Sequence, residues 1–147
     1  MSTYSFLDTH VSLVGPGVSI SLGQGAAVAE EGITFRPVTD IDTMTIGADG
    51  TPMHSLRANK AMIAEVRLLK TSPINQKLAQ AYSIQTANGS QHGQNTITLT
   101  NTQIGDVISC QQVAFKKAPD LTYAVEGGMN VWEFNVGIGD RILGASA

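Results

Sequence analysis

The sequence predicts a mainly β domain, a β-sandwich or barrel with one flanking α-helix and one extended β-hairpin. Apolar and polar residues alternate with the strand period of two through most of the chain. Only residues 73–86 show the helical period, and an Asp-Gly pair between two strand-like runs marks a hairpin at residues 42–56. The length of 147 residues fits one domain spanning residues 1–147.

Four stretches carry the alternation most clearly, each with an apolar side chain at every second position. One face of each predicted strand therefore lies on a core and the other faces outward. The apolar positions are Val18, Ile20 and Leu22; Met62, Ala64, Val66 and Leu68; Ile97 and Leu99; and Trp132, Phe134, Val136 and Ile138.

One further strand breaks this alternation. Ile108 and Cys110 share one face, whereas Val113 and Phe115 share the other. The change falls at Gln111-Gln112, so we predict a β-bulge there. Cys110 lies between apolar neighbours and is expected to be a buried small hydrophobe rather than a nucleophile.

The predicted helix begins after Ser72-Pro73, which combine a capping hydroxyl with a proline tolerated in the first turn. Asn88-Gly89 offers a left-handed end. The apolar stripe is formed by Ile74, Leu78, Ala81 and Tyr82. The polar face, which is expected to lie outside, is formed by Asn75, Gln76, Gln80 and Gln85.

The predicted hairpin turns at Gly47-Ala48-Asp49-Gly50, where both central residues are expected to have positive φ. Its arms alternate poorly, because Met44 and Ile46 share a face with Asp42. A hairpin without a clear inside face fits either an extension that leaves the domain or an ordinary surface hairpin.

Charge is scarce and unevenly distributed. Charged residues make up 14% of the chain, with 12 acidic and 9 basic side chains, while Thr, Ser, Gln and Asn are abundant. This composition excludes a strongly basic nucleic-acid binder and a disordered chain, and the single cysteine excludes an internal disulfide scaffold. Residues 1–50 carry a net charge of −5, residues 51–90 carry +4 and residues 91–147 carry −2. Such blocks fit either an accidental distribution or contacts between copies of the chain, in which acidic and basic patches meet.

The sequence offers no catalytic, cofactor or metal site. His10, His54 and His92 have no metal-binding spacing, and neither a nucleophile elbow nor a phosphate-binding loop is present. No apolar run has the roughly 20 residues that a membrane helix needs, and no basic residue precedes Phe6-Leu7 as in a secretory signal. We therefore expect no enzyme, no cofactor and no membrane partner.

A set of colinear motifs resembles the tail tube protein of contractile-tailed bacteriophages. The most specific is the hairpin turn followed by Met53-His54-Ser55-Leu56. The others are Tyr4-Ser5-Phe6-Leu7-Asp8, Gly15-Pro16-Gly17, Ala29-Glu30-Glu31-Gly32-Ile33-Thr34, Leu68-Leu69-Lys70-Thr71-Ser72-Pro73, Gly105-Asp106, Val113-Ala114-Phe115-Lys116-Lys117-Ala118-Pro119-Asp120 and a terminal strand with Trp132.

The resemblance implies a structural protein of the virion that assembles in the host cytoplasm. In that family, subunits form hexameric rings whose strands close an inner barrel, and the rings stack into a tube inside a contractile sheath. The implied partners are further copies of the chain, the tail sheath protein, and baseplate and tail terminator proteins. The resemblance further implies that phage DNA passes through the lumen without specific binding.

The resemblance also suggests which residues make contacts. The hairpin is expected to reach a neighbouring subunit or ring, with both of its faces buried on assembly, and the N-terminal arm, residues 1–8, is a second contact. Candidate contacts are Met44, Ile46, Asp49, Gly50, Met53, Leu56, Tyr4 and Phe6. Candidate lumen-facing residues are Thr96, Thr98 and Thr100, in a lumen that is neutral or acidic. The polar face of the helix fits either a position toward the sheath or one that faces only solvent.

Two other functions remain open from the sequence. A tube ring of a tailocin or of a type VI-like secretion system would need the same surfaces. A monomeric β-sandwich that binds a ligand such as a carbohydrate would need exposed aromatic residues, yet Phe115, Trp132 and Phe134 fall on predicted core faces.

Overall fold

The computed structural model describes residues 9–21, 28–102 and 104–144. These ranges contain nine β-strands and one α-helix. The elements are β1 (Thr9–Gly15), β2 (Val18–Ser21), β3 (Val28–Pro37), β4 (Asp42–Ile46), β5 (Pro52–Leu56), β6 (Met62–Leu69), α1 (Ile74–Thr86), β7 (Asn95–Asn101), β8 (Asp106–Lys117) and β9 (Met129–Ile142).

Seven of the strands form one antiparallel sheet in the order β2-β1-β7-β8-β9-β6-β3, and β4 pairs only with β5. The prediction of a mainly β fold with one helix and a separate hairpin is confirmed. Within the described residues the large sheet is open, with β2 and β3 as its edges, and the fold is sandwich-like rather than a closed barrel.

The core lies on one face of the large sheet and is covered by α1. The predicted alternation holds along β6 and along β9 as far as Val136, whereas Ile138 is 37% exposed. Tyr82 of the helix meets the sheet in an aromatic cluster, with its ring centroid 5.5 Å from that of Phe115. Full burial of each large apolar side chain contributes about 1.5–3 kcal/mol, so this face supplies most of the stability of the fold.

The predicted bulge in β8 is confirmed. Asn95 pairs with Val113 and Ile97 pairs with Cys110, so β8 uses one residue more than β7 over this span. Gln112 has a φ of 54°, and the extra residue returns Val113 to the core face. Cys110 is fully buried, as predicted, and burial raises the pKa of its thiol to about 11.

The helix begins and ends close to the predicted residues. The Ile74 N–H donates to Ser72 Oγ at 3.3 Å, which provides the expected hydroxyl at its start. The predicted left-handed end at Gly89 is wrong, because the helix closes on Ala87 in a right-handed conformation. The Ser90 N–H donates a hydrogen bond to Asn88 Oδ1, and this bond forms a turn directly after the helix.

The prediction that Gln85 belongs to the outward polar face of the helix is wrong, because its side chain is fully buried. Its Nε2 donates to Asn95 Oδ1 at 2.8 Å and to the Pro16 carbonyl at 3.1 Å. Asn95 Nδ2 donates in turn to Gln85 Oε1 at 2.6 Å and to the Val113 carbonyl at 3.0 Å. This amide pair joins the end of α1 to the β1–β2 turn, the start of β7 and the β8 bulge.

Candidate assembly surfaces

The hairpin β4–β5 stands apart from the rest of the molecule. All ten of its strand residues are exposed, and the predicted arms are confirmed by the pairing of Asp42 with Leu56 through to Ile46 with Pro52. Its base is closed by the Arg57 N–H, which donates to the Ile41 carbonyl at 2.8 Å. A two-stranded hairpin without further packing is marginally stable in water, so its strand pairing alone contributes little stability.

The register separates the hairpin into two different faces. Residues that pair across an antiparallel ladder share a face. The apolar face carries Met44, Ile46, Pro52 and Leu56, together with Asp42 and His54. The hydroxyl face carries Thr43, Thr45, Met53 and Ser55.

Three of the four predicted apolar contacts, Met44, Ile46 and Leu56, therefore lie together, and Met53 lies on the opposite face. Asp42 shares the apolar face, as predicted, and its Oδ2 lies 2.9 Å from His54 Nδ1. Sequence reasoning missed this hydrogen bond and Pro52. The pairing register would have revealed both, because it places them beside Met44 and Ile46.

Asp49 and Gly50 form hydrogen bonds that close the hairpin turn. Gly50 has a φ of 87° and is the left-handed residue of this turn, so the expectation of two positive φ values is wrong. The Gly50 N–H donates to the Gly47 carbonyl at 2.9 Å, giving a three-residue loop with a glycine bulge. The Thr51 N–H donates to Asp49 Oδ1 at 3.0 Å, and this bond lowers the pKa of the Asp49 carboxyl.

The lumen candidates Thr96, Thr98 and Thr100 lie on the face of the large sheet that points away from the core. Thr98 is half-buried and stands in a row of cross-strand partners. The row is Ser21, Ser12, Thr98, Ser109 and Asp140. Four hydroxyls and one carboxylate therefore cross five strands without a basic residue.

The other half of this outward face carries charges in compensating pairs. Arg36 is hydrogen-bonded to Glu65, and its second nitrogen lies 3.7 Å from Glu133. Arg67 contacts Glu65 at 3.0 Å. The hydrogen bond from Arg36 holds the pKa of the Glu65 carboxyl below its usual value, because it favours the charged form.

The predicted arm contacts Tyr4 and Phe6 lie outside the described residues. Among the residues that are described, no group of three or more His, Cys, Asp or Glu side chains could hold a metal ion. In the same ranges no helix is long and apolar enough to cross a membrane.

A protein-family model described as the bacteriophage PhiTE tail tube protein matches residues 1–144. The chain belongs to this family. The match covers nearly the whole sequence, so the tail tube identity applies to the sheet, the helix and the hairpin together. The resemblance drawn from the sequence motifs is confirmed.

Solved structures with the same fold come from contractile injection systems. A structure of the PVC sheath/tube terminator in the extended state matches with a TM-score of 0.57 and 12% identity, covering 99% of each chain. The PVC sheath-tube complex in the extended state matches with a TM-score of 0.50 and 12% identity, over 92% of this chain and 88% of that one.

The tube-terminating cap of the anti-feeding prophage matches with a TM-score of 0.50 and 8% identity, over 97% of this chain and 94% of that one. At these low sequence identities, the comparisons show a shared fold and nothing further. The comparison with curated proteins found no match. The family assigns the chain to structural tail tube proteins and not to enzymes, and it makes the chain a tube-type component of a phage or similar particle.

Proposed function

We propose that this chain is the ring subunit of the inner tail tube of a contractile-tailed phage. Six copies form a ring, the rings stack inside the sheath, and baseplate and terminator proteins bind the two ends of the tube. The chain assembles in the host cytoplasm and becomes part of the virion. The observation that carries the proposal is the hairpin, whose ten strand residues are all exposed although four of them form an apolar face.

Ring closure uses the two edges of the large sheet. Along the outer sides of β2 and β3, the described part of the chain supplies no strand to pair with. Unpaired edges attract further strands, and proteins avoid uncontrolled pairing by covering them. Pairing of β2 in one copy with β3 in the next would extend the sheet around the ring and close an inner barrel.

The outward hydroxyl row then faces the lumen. A protein binds DNA mainly by placing Lys and Arg beside phosphates, and the row from Ser21 to Asp140 places none there. The carboxylate of Asp140 also lies 3.5 Å from Lys60 Nζ, which compensates that cation. Such a surface lets phage DNA pass without specific binding.

Electron microscopy of the purified full-length chain tests the proposal directly. We expect rings or tubes with six-fold symmetry. A variant that lacks residues 42–55 should keep its folded circular dichroism spectrum but form no tubes, because it lacks the apolar face. Tubes of normal length from this deletion variant would contradict the role given to the hairpin.

A tube ring of a tailocin or secretion-type particle is the second candidate, because the similar solved structures belong to contractile injection systems. Both particles would use the same hairpin and edge surfaces. Purified particles that carry the chain separate the two functions: a DNA-filled head on the tail supports the phage tube, and headless particles support the alternative.

A further inference from the structure

Two groups of exposed large apolar side chains lie at the two ends of the large sheet, besides Ile142 and Leu143 at the end of β9. At one end, the hairpin exposes Met44, Ile46 and Leu56, the last of them to 84%. At the other end, the segment 118–128 between β8 and β9 exposes Leu121 and Tyr123, and Val125 is entirely accessible. Neither group packs on the core of its own subunit.

The strand register places these groups at opposite ends. The hairpin joins the end of β3 to Met62, the first residue of β6, and Met62 pairs with Val136. The segment 118–128 precedes Met129, which pairs with Leu69, the last residue of β6. The length of β6 therefore separates them, about 24 Å at the usual rise of a strand.

The two ends also differ in charge. From Val38 to Arg57 the hairpin region has three carboxylates, Asp40, Asp42 and Asp49, against one guanidinium, a net charge of −2. Around segment 118–128, four basic side chains lie among four carboxylates, so this end carries no net charge. The basic residues are Arg67, Lys70, Lys116 and Lys117, and the acidic ones are Glu65, Asp120, Glu126 and Glu133.

We propose that the apolar face of the hairpin in one copy docks on segment 118–128 of a copy in the next ring. This inference rests on the proposed tube function and names the surface that receives the hairpin. Complementary patches at opposite ends of one chain form a heterologous contact, which propagates instead of closing on itself. The exposed apolar side chains at the two ends supply the buried area.

Lys70 holds part of segment 118–128 in a fixed position. Lys70 Nζ lies 3.7 Å from the centre of the Tyr123 ring and also donates to the Thr122 carbonyl. The aromatic ring is therefore held in place while it is 81% exposed. A methionine such as Met44 suits such a surface, because its sulfur makes favourable contacts with aromatic rings.

Disulfide trapping tests the contact in the full-length chain. With Met44→Cys and Val125→Cys in one chain, mild oxidation of assembled tubes should give a ladder of covalent oligomers, since both positions are exposed and Cys110 is buried. One control pair is Thr45→Cys with Val125→Cys, on the opposite hairpin face. The other is Met44→Cys with Ser90→Cys, in a different loop at the receiving end.

Each outcome decides between the two proposals. If the tubes give no ladder, or if the control pairs cross-link equally, the hairpin does not dock on segment 118–128. The proposed tube function is unaffected by that result. A wild-type chain that forms neither rings nor tubes with baseplate proteins present overturns both. As an independent check, Leu121→Asp with Val125→Asp should leave folded subunits and reduce stacked rings by about tenfold or more, a loss of about 1.4 kcal/mol or more.

Discussion

The buried amide pair Gln85–Asn95 permits a stability prediction whose size follows from its geometry. The perturbation is Gln85→Met, which keeps the length of the side chain and removes its polar atoms. Three hydrogen bonds are lost, two to Asn95 and one to the Pro16 carbonyl. Asn95 Nδ2 keeps its bond to the Val113 carbonyl, but its second N–H loses an acceptor and the fully buried Asn95 Oδ1 loses its donor.

A buried polar group that loses its partner costs about 1–3 kcal/mol, and the Pro16 carbonyl adds a smaller amount because it is only partly buried. We therefore expect Gln85→Met to lower the free energy of unfolding by about 2–4 kcal/mol. For a chain of this length the melting temperature falls by about 2–4 °C per kcal/mol, so we expect a fall of about 4–16 °C.

Urea denaturation followed by circular dichroism measures this change, under conditions where the chain is monomeric. Gln80→Met on the exposed side of the same helix is the matched control and should change stability by less than about 0.5 kcal/mol. If the two variants were equally stable, the amide pair would contribute nothing and the reasoning from buried hydrogen bonds would be refuted.

Three further predictions concern single positions. Gly15→Ala should destabilise the fold by about 1–3 kcal/mol in urea denaturation, because a Cβ there overlaps the Asn95 side chain; an unchanged midpoint would show that the amide can move aside. Gln112→Gly should stabilise the bulge by about 0.5–1 kcal/mol in the same measurement, because glycine adopts its positive φ without strain. The pKa of Glu65 is lowered from 4.5, so its contribution to stability is present above that pH and is lost as the pH falls through the folded value. As the pH is lowered, the melting temperature of Glu65→Gln should fall less steeply than that of the wild type. Identical curves would show that Glu65 does not contribute to the loss of stability in acid.

Elements with strong local signals could be predicted from the sequence. The helix, the hairpin and the β8 bulge each depend on residues close together in the chain. The bulge at Gln111-Gln112 can be predicted because the inward positions change parity there, which needs no knowledge of neighbouring strands.

Features that depend on which strands meet could not be predicted. Gln85 looks like an exposed helix residue, and only the approach of Asn95 from β7 explains its burial. The hydroxyl row is invisible for the same reason, since Ser12 and Ser109 are far apart in sequence and come together on either side of Thr98. The apolar segment 118–128 has no periodicity that would distinguish a contact surface from an ordinary loop.

The location of the hairpin at one end of the large sheet and of segment 118–128 at the other end gives the molecule a direction. Any stack built through these ends is a polar filament, whose two tips expose different chemistry. One tip presents acidic hairpins and the other presents the surface of segment 118–128 with its exposed Tyr123. Growth rates at the two tips should therefore differ, and a protein that stops growth at one tip would not recognise the other.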